Sequence, residues 1–202
     1  MRPLENGHQY VARGIDRIVF FSDAVFAIAI TLLALDIKLP DGVDLNSNSS
    51  LTHALSSMFP QILAFVLSFL IIGIFWSSHV RKYHALISYN STFVMLNLIL
   101  LMLIAFMPFP TSLISSSPTR ISVTLYASTL ALIGTLSAAT WVYAATNKLV
   151  DKTYAKQHYV REIRGPMIVA LVFLISIALT FINPSFAMWS WLCIIPVLGY
   201  FR

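Results

Sequence analysis

Hydrophobic residues come in six continuous runs parted by short polar stretches: Ile15 to Leu39, His53 to His79 with its apolar heart from Ile62 to Trp76, Ser91 to Leu113, Ile121 to Thr146, Gly165 to Ile182, and Phe186 to Phe201. A helix rising about 1.5 Å per residue needs about 20 apolar residues to cross a hydrocarbon core about 30 Å thick, and most of the runs meet this; the sixth is short. Transmembrane strands would alternate apolar and polar over about ten residues, and these runs do not. The pattern predicts an all-α integral membrane bundle of six transmembrane helices. Turn formers sit where the helices should end: Pro40-Asp41-Gly42 after the first, the polar stretch Asn46 to Ser50 before the second, Pro108, Pro110 and Pro118 around the end of the third, and Asn183-Pro184 between the fifth and sixth. Gly165-Pro166 is read as opening the fifth helix, since a proline is tolerated in a first turn.

Composition sharpens this picture. Of 202 residues, 58% are hydrophobic and 10% are charged, against about 25% charged in an ordinary soluble domain. The chain lacks the polar residues needed to face water all round. The runs are spaced as one compact membrane unit covering 1–202, with no internal duplication. The net charge of +5 lies mostly in the short links between runs, which fits membrane orientation and anionic headgroups and argues against a nucleic-acid partner. Cys193 is the one cysteine, so no disulfide can form within the chain. Met1 to Gly14 is polar and has no signal-peptide core, so the first run is expected to stay as a membrane anchor.

Lysine and arginine set the expected orientation. Arg2, Arg13, Arg17, Arg81, Lys82, Lys148, Lys152, Lys156, Arg161, Arg164 and Arg202 fall on one side of a six-span path, and only Lys38 and Arg120 on the other. Cytoplasmic segments carry such an excess, so both termini are expected in the cytoplasm.

The first helix is the anomaly. Arg17, Ser22 and Asp23 lie at or just inside its N-terminal end, and Thr31 lies deep in the apolar stretch. Ionisable groups in a membrane are costly and face the bundle interior, a partner or water. Six residues turn a helix by about 600°, which puts Arg17 and Asp23 on different faces, so each is expected to bond to another helix or a neighbouring subunit. Beyond them, Ile28, Thr31 and Leu35 share one stripe at i, i+3, i+7. From spacing alone such a stripe is more often a packing seam than a pore. Near the end of the second helix, Trp76 and His79 share a face at i, i+3, and either is within reach of the polar start of helix one. The five histidines show no metal-ligand spacing, and no cofactor is implied. Phosphate loops, nucleophile elbows, His-Glu-x-x-His, the Thr-Val-Gly-Tyr-Gly potassium filter and voltage-sensor arginines are all missing, so the sequence does not read as an enzyme or as a channel with a pore loop.

Arg17-Ile18-Val19-Phe20-Phe21-Ser22-Asp23 fits Arg-x-x-x-Phe-Ser-Asp at the start of the first of six spans. In this place the motif resembles the transmembrane protein 175 family of potassium channels, in its prokaryotic single-repeat form. Trp76 and His79 look like the tryptophan and histidine that the family carries on helix two. The resemblance implies a modestly potassium-selective channel of the bacterial cell membrane, assembled as a homotetramer around a pore lined by helix one. Carried over by distance from the motif, Ile28 matches the apolar constriction, Thr31 the hydroxyl-bearing position one turn on, and Leu35 the next pore-facing position. Arg17, Phe21, Ser22 and Asp23 are then expected to form a structural collar tied to Trp76 and His79. The rival readings are a proton- or sodium-coupled transporter using Asp23, a proton-permeable channel, and a non-conducting scaffold.

Overall fold

The computed structural model describes residues 3–191. Its elements run α1 (Pro3–Leu32), a 3-10 turn (Leu33–Asp36), α2 (Asn48–Ser57), α3 (Phe59–His84), α4 (Ser91–Phe106), α5 (Pro108–Ser116), α6 (Arg120–Thr146), α7 (Lys152–Thr180) and α8 (Pro184–Ser190). Among the described residues there is no strand beyond one isolated bridge, Leu86 to Val150, which ties the α3–α4 link to the α6–α7 link. Five segments are long and apolar enough to cross a membrane: 9–36, 59–84, 91–116, 120–146 and 152–180. The expected sixth helix begins with α8, and its remainder from 192 to Phe201 lies outside the described residues, as do Arg2, Cys193 and Arg202.

Most helix starts are capped where the sequence offers a cap. Asn90 Oδ1 accepts from the Phe93 amide at 2.9 Å, and Asp151 Oδ1 accepts from the Thr153 and Tyr154 amides at 2.9 Å each. Thr119 and Ser122 form a reciprocal capping box ahead of α6.

Five boundaries differ from the sequence reading. The first helix begins at Pro3, well before Ile15, so Arg17, Ser22 and Asp23 lie in its middle. The first helix tightens into a 3-10 turn at Leu33, before the Pro40-Asp41-Gly42 signal. The second run splits into α2 and α3, with Ser47 capping α2 inside the stretch read as loop. The third is broken at Met107 into α4 and α5, with Pro108 and Pro110 in the first turn of α5, where a missing N–H costs nothing. The fifth begins at Lys152, not at Gly165-Pro166, so Pro166 lies inside α7. There it removes one intrahelical hydrogen bond. Helix α7 runs along α6, and the Pro166 carbonyl lies against Gly134 of α6.

That approach depends on Gly134. A Cβ there would come within 2.5 Å of the Pro166 carbonyl oxygen and 3.0 Å of the Ala170 Cβ. Helices in lipid associate through such small-residue contacts. Gly134→Ala is expected to push α6 and α7 apart at about 1–3 kcal/mol, read as a thermal midpoint lower by roughly 5 °C in detergent. An unchanged midpoint would show that the two helices separate freely.

The central helix is α6. Of its most apolar 18-residue window 61% is buried, against 22% for that of α1. It packs on α3, α4, α5, α7 and α8, and α1 packs on α3, α4 and α5. The core gathers Phe26, Ile72, Ile104, Tyr126, Ile133 and Phe173. Tyr126 satisfies its hydroxyl through Ser68 at 3.0 Å, and Ser68 also meets Thr111 at 3.1 Å.

Candidate functional site

Helix α1 has two faces. Ser22, Phe26, Ala29 and Leu33 follow i, i+4, i+7, i+11 and are almost fully buried against the rest of the chain. The opposite face carries Phe21, Ile28, Thr31 and Leu35, all exposed; Ile28 keeps 58% of its surface and Leu35 65%. The stripe read from spacing therefore does not pack within this chain. Thr31 Oγ1 lies 3.0 Å from the Ala27 carbonyl and 2.9 Å from that of Ile28. Its one proton is committed to the helix backbone, which leaves the oxygen lone pairs as acceptors.

On the buried face a polar chain links three helices. Ser22 Oγ donates to the Ile18 carbonyl at 2.8 Å and accepts from Asn97 Nδ2 at 3.1 Å. Asn97 Oδ1 accepts from the Tyr83 hydroxyl at 2.8 Å and meets His79 Nε2 at 3.1 Å. His79 stacks on Tyr83 with ring centres 3.7 Å apart, and Phe26 of α1 meets the His79 ring edge-on at 5.4 Å. These atoms are shut off from solvent, so each bond is worth more than at a surface, and each loss leaves an orphan.

Asp23 and Trp76 meet directly, with Trp76 Nε1 donating to Asp23 Oδ1 at 2.8 Å. Both expected links from helix one to Trp76 and His79 exist, by different routes. Trp76 reaches α1 itself, whereas His79 reaches Ser22 through Asn97. Trp76 is 41% exposed and His79 is buried, so the two diverge around α3 despite their i, i+3 spacing.

Arg17 and Phe21 stand apart. Arg17 is exposed and has no hydrogen bond or ion pair among the described residues, and Phe21 is exposed on the far face of α1. Neither joins the collar inside one chain.

Three participants went unread in the sequence. Asn97 is the only polar residue between Thr92 and Phe106, and an amide placed so deep in an apolar run was the available signal. Lys82, read as a charge in a polar link, is instead buried. Its Nζ donates to the Ser137 carbonyl at 3.2 Å and to Ser137 Oγ at 3.0 Å. Its long stem crosses from α3 to Ser137 on α6. Glu162, 1% exposed, holds Arg81 at 3.5 Å and Arg161 at 3.2 Å. A carboxylate shared by two guanidinium groups offsets its own burial cost, and this one fastens α7 to α3.

The family model described as endosomal/lysosomal potassium channel TMEM175 matches residues 17–108, a stretch that contains Arg17, Asp23, Ile28, Trp76, His79 and Asn97. A potassium channel of Chamaesiphon minutus is 35% identical over 176 residues, covering 83% of this chain and 84% of that one. The crystal structure of a lysosomal potassium-selective channel TMEM175 homolog from Chamaesiphon minutus superposes with a TM-score of 0.78 at 30% identity, covering 94% of this chain and 96% of that one. The endosomal/lysosomal proton channel TMEM175 of Gallus gallus is 26% identical over 198 residues, which is 92% of this chain and 38% of that protein.

Proposed function

The chain belongs to the TMEM175 family of ion channels, and from that premise we propose that it is a potassium channel of the cell membrane, built as a homotetramer with α1 around a central pore. One observation carries the pore assignment. Ile28, Thr31 and Leu35 lie uncovered on the face of α1 opposite to Ser22, Phe26, Ala29 and Leu33. In the tetramer this face meets its copies around the axis. Residues 1–202 form one channel unit of six spans, and the excess of Lys and Arg on one side supports cytoplasmic termini.

Four Ile28 side chains make a narrow apolar ring. Water leaves such a ring when it is tight, and a hydrated ion then has no path through; a small tilt of α1 readmits water. Potassium sheds its hydration shell more easily than sodium. Four Thr31 oxygens replace part of that shell, which gives a modest preference without the dense carbonyl cage of a conventional filter. Asp23 is held by Trp76, which supports a role in fixing α1 over one as the coupled-ion site of a transporter.

Purified protein in liposomes, with potassium on one side and sodium on the other, tests the reading. The expected reversal potential lies toward the potassium equilibrium value. A reversal that follows an imposed proton gradient instead would make protons the permeant ion, and equal passage of potassium and sodium would remove the selectivity. Thr31→Ala is expected to lower the potassium-to-sodium ratio roughly threefold, or about 0.7 kcal/mol. An unchanged ratio would take Thr31 out of ion selection.

A further inference from the structure

The polar chain that starts at Ser22 stops at His79, whose buried Nδ1 has no hydrogen-bond partner; the buried Trp141 Nε1 on α6 and Ser78 Oγ on α3 have none either. The chemical roles of the two ring atoms follow from the bonds around them. The Ser22 proton is taken by the Ile18 carbonyl, so the Asn97 atom that faces Ser22 is the amide nitrogen. Asn97 Oδ1 therefore faces His79 and Tyr83, and His79 Nε2 must carry the proton and donate it. In the neutral ring that leaves His79 Nδ1 as an acceptor. Trp141 Nε1 is always a donor.

An acceptor and a donor thus stand unmatched, and both residues line the same cavity of about 10 Å³ between α3, α4 and α6. That is the room of a single water. Lys82 also lines it, and its ammonium has one N–H left after the two bonds to Ser137. Buried waters sit where two to four polar groups would otherwise go unsatisfied, and no protein side chain fills this gap.

We propose that this cavity binds one ordered water molecule, which accepts a hydrogen bond from Trp141 Nε1 and donates one to His79 Nδ1. The water completes a polar chain from α1 through Asn97 on α4 and His79 on α3 to Trp141 on α6. It also holds His79 in the tautomer that donates to Asn97, which makes it a positioning element for the pore-lining helix.

Solid-state NMR of the full chain in lipid bilayers tests the site. The Trp141 indole N–H is expected to show magnetisation transfer from a long-lived water, and the His79 Nδ1 nitrogen is expected to resonate as a hydrogen-bonded acceptor. In Trp141→Phe the water loses its donor, and the Nδ1 signal moves downfield toward the position of an unbonded ring nitrogen. A wild-type His79 Nδ1 already at the unbonded position would overturn the proposal. So would an indole N–H with no transfer from water, as expected if it points instead at the ring of Tyr154, whose centre is 6.1 Å away at 82°. Both wild-type readings stand if the variant fails to fold.

Discussion

Replacing Asn97 with leucine is expected to lower the thermal midpoint of the detergent-solubilised protein by roughly 10 °C. Asn97 is 2% exposed and holds three partners on two other helices, Ser22, His79 and Tyr83. Leucine has the same number of side-chain heavy atoms, branched at the same carbon, and fits an apolar run, so the change removes hydrogen bonds more than it removes packing. The Tyr83 hydroxyl and the His79 N–H then stay buried without acceptors. Each orphaned donor costs about 1–3 kcal/mol, so the total comes to about 4 kcal/mol. Ile99→Ala on the same helix, at a position 39% exposed, is the control. It removes more apolar surface and should cost less. If the two variants melt together, the polar chain contributes nothing to stability and α1 is held by apolar packing alone. Current through the Asn97→Leu protein should fall as well, because α1 loses its polar tie to α4 and is held to α3 only by the Trp76–Asp23 bond.

Ile28→Asn is expected to leave the channel conducting where the wild type is shut, with basal flux up roughly tenfold or more. A barrier lower by about 1.4 kcal/mol passes ten times the flux. Asparagine has as many side-chain heavy atoms as isoleucine and is far larger than alanine, so the ring stays mostly filled while its lining becomes polar. If closure rests on dewetting, polarity alone opens it. If closure rests on side chains meeting at the axis, Ile28→Asn stays closed and Ile28→Ala opens. Tracer potassium uptake into liposomes separates the two. Because Ile28 is 58% exposed and makes little contact inside its own chain, neither change should shift the midpoint as Asn97→Leu does. Wild-type flux from both variants would move the gate off Ile28.

These two residues also show what was legible in advance. Ile28 was singled out because helical spacing puts it in line with Thr31 and Leu35, and because the Arg17 to Asp23 motif fixes its distance along the helix. Periodicity is a property of one helix, and it gives the stripe without any knowledge of neighbours. Asn97 was visible only as an oddity in an apolar run. Its partners lie 75, 18 and 14 positions away, at separations that no local pattern encodes. Lys82 was misread for the same reason. In the chain it looks like Arg81 beside it, yet one of the two points toward Ser137 and the other toward Glu162.

The sequence by itself determined the class of molecule: continuous apolar runs of membrane length, a lopsided placement of basic residues, and one helix with a motif and a stripe. Lipid is a uniform solvent that selects for length and polarity, and both are read directly from residue order. Only the tertiary structure decided which face of α1 is covered, that His79 reaches Ser22 through Asn97 while Trp76 takes Asp23 directly, and that Pro166 sits inside a helix against Gly134. Those outcomes depend on how rigid helices settle against one another, where a rotation of about 100°, the step of one residue, decides whether a side chain meets a partner or faces outward.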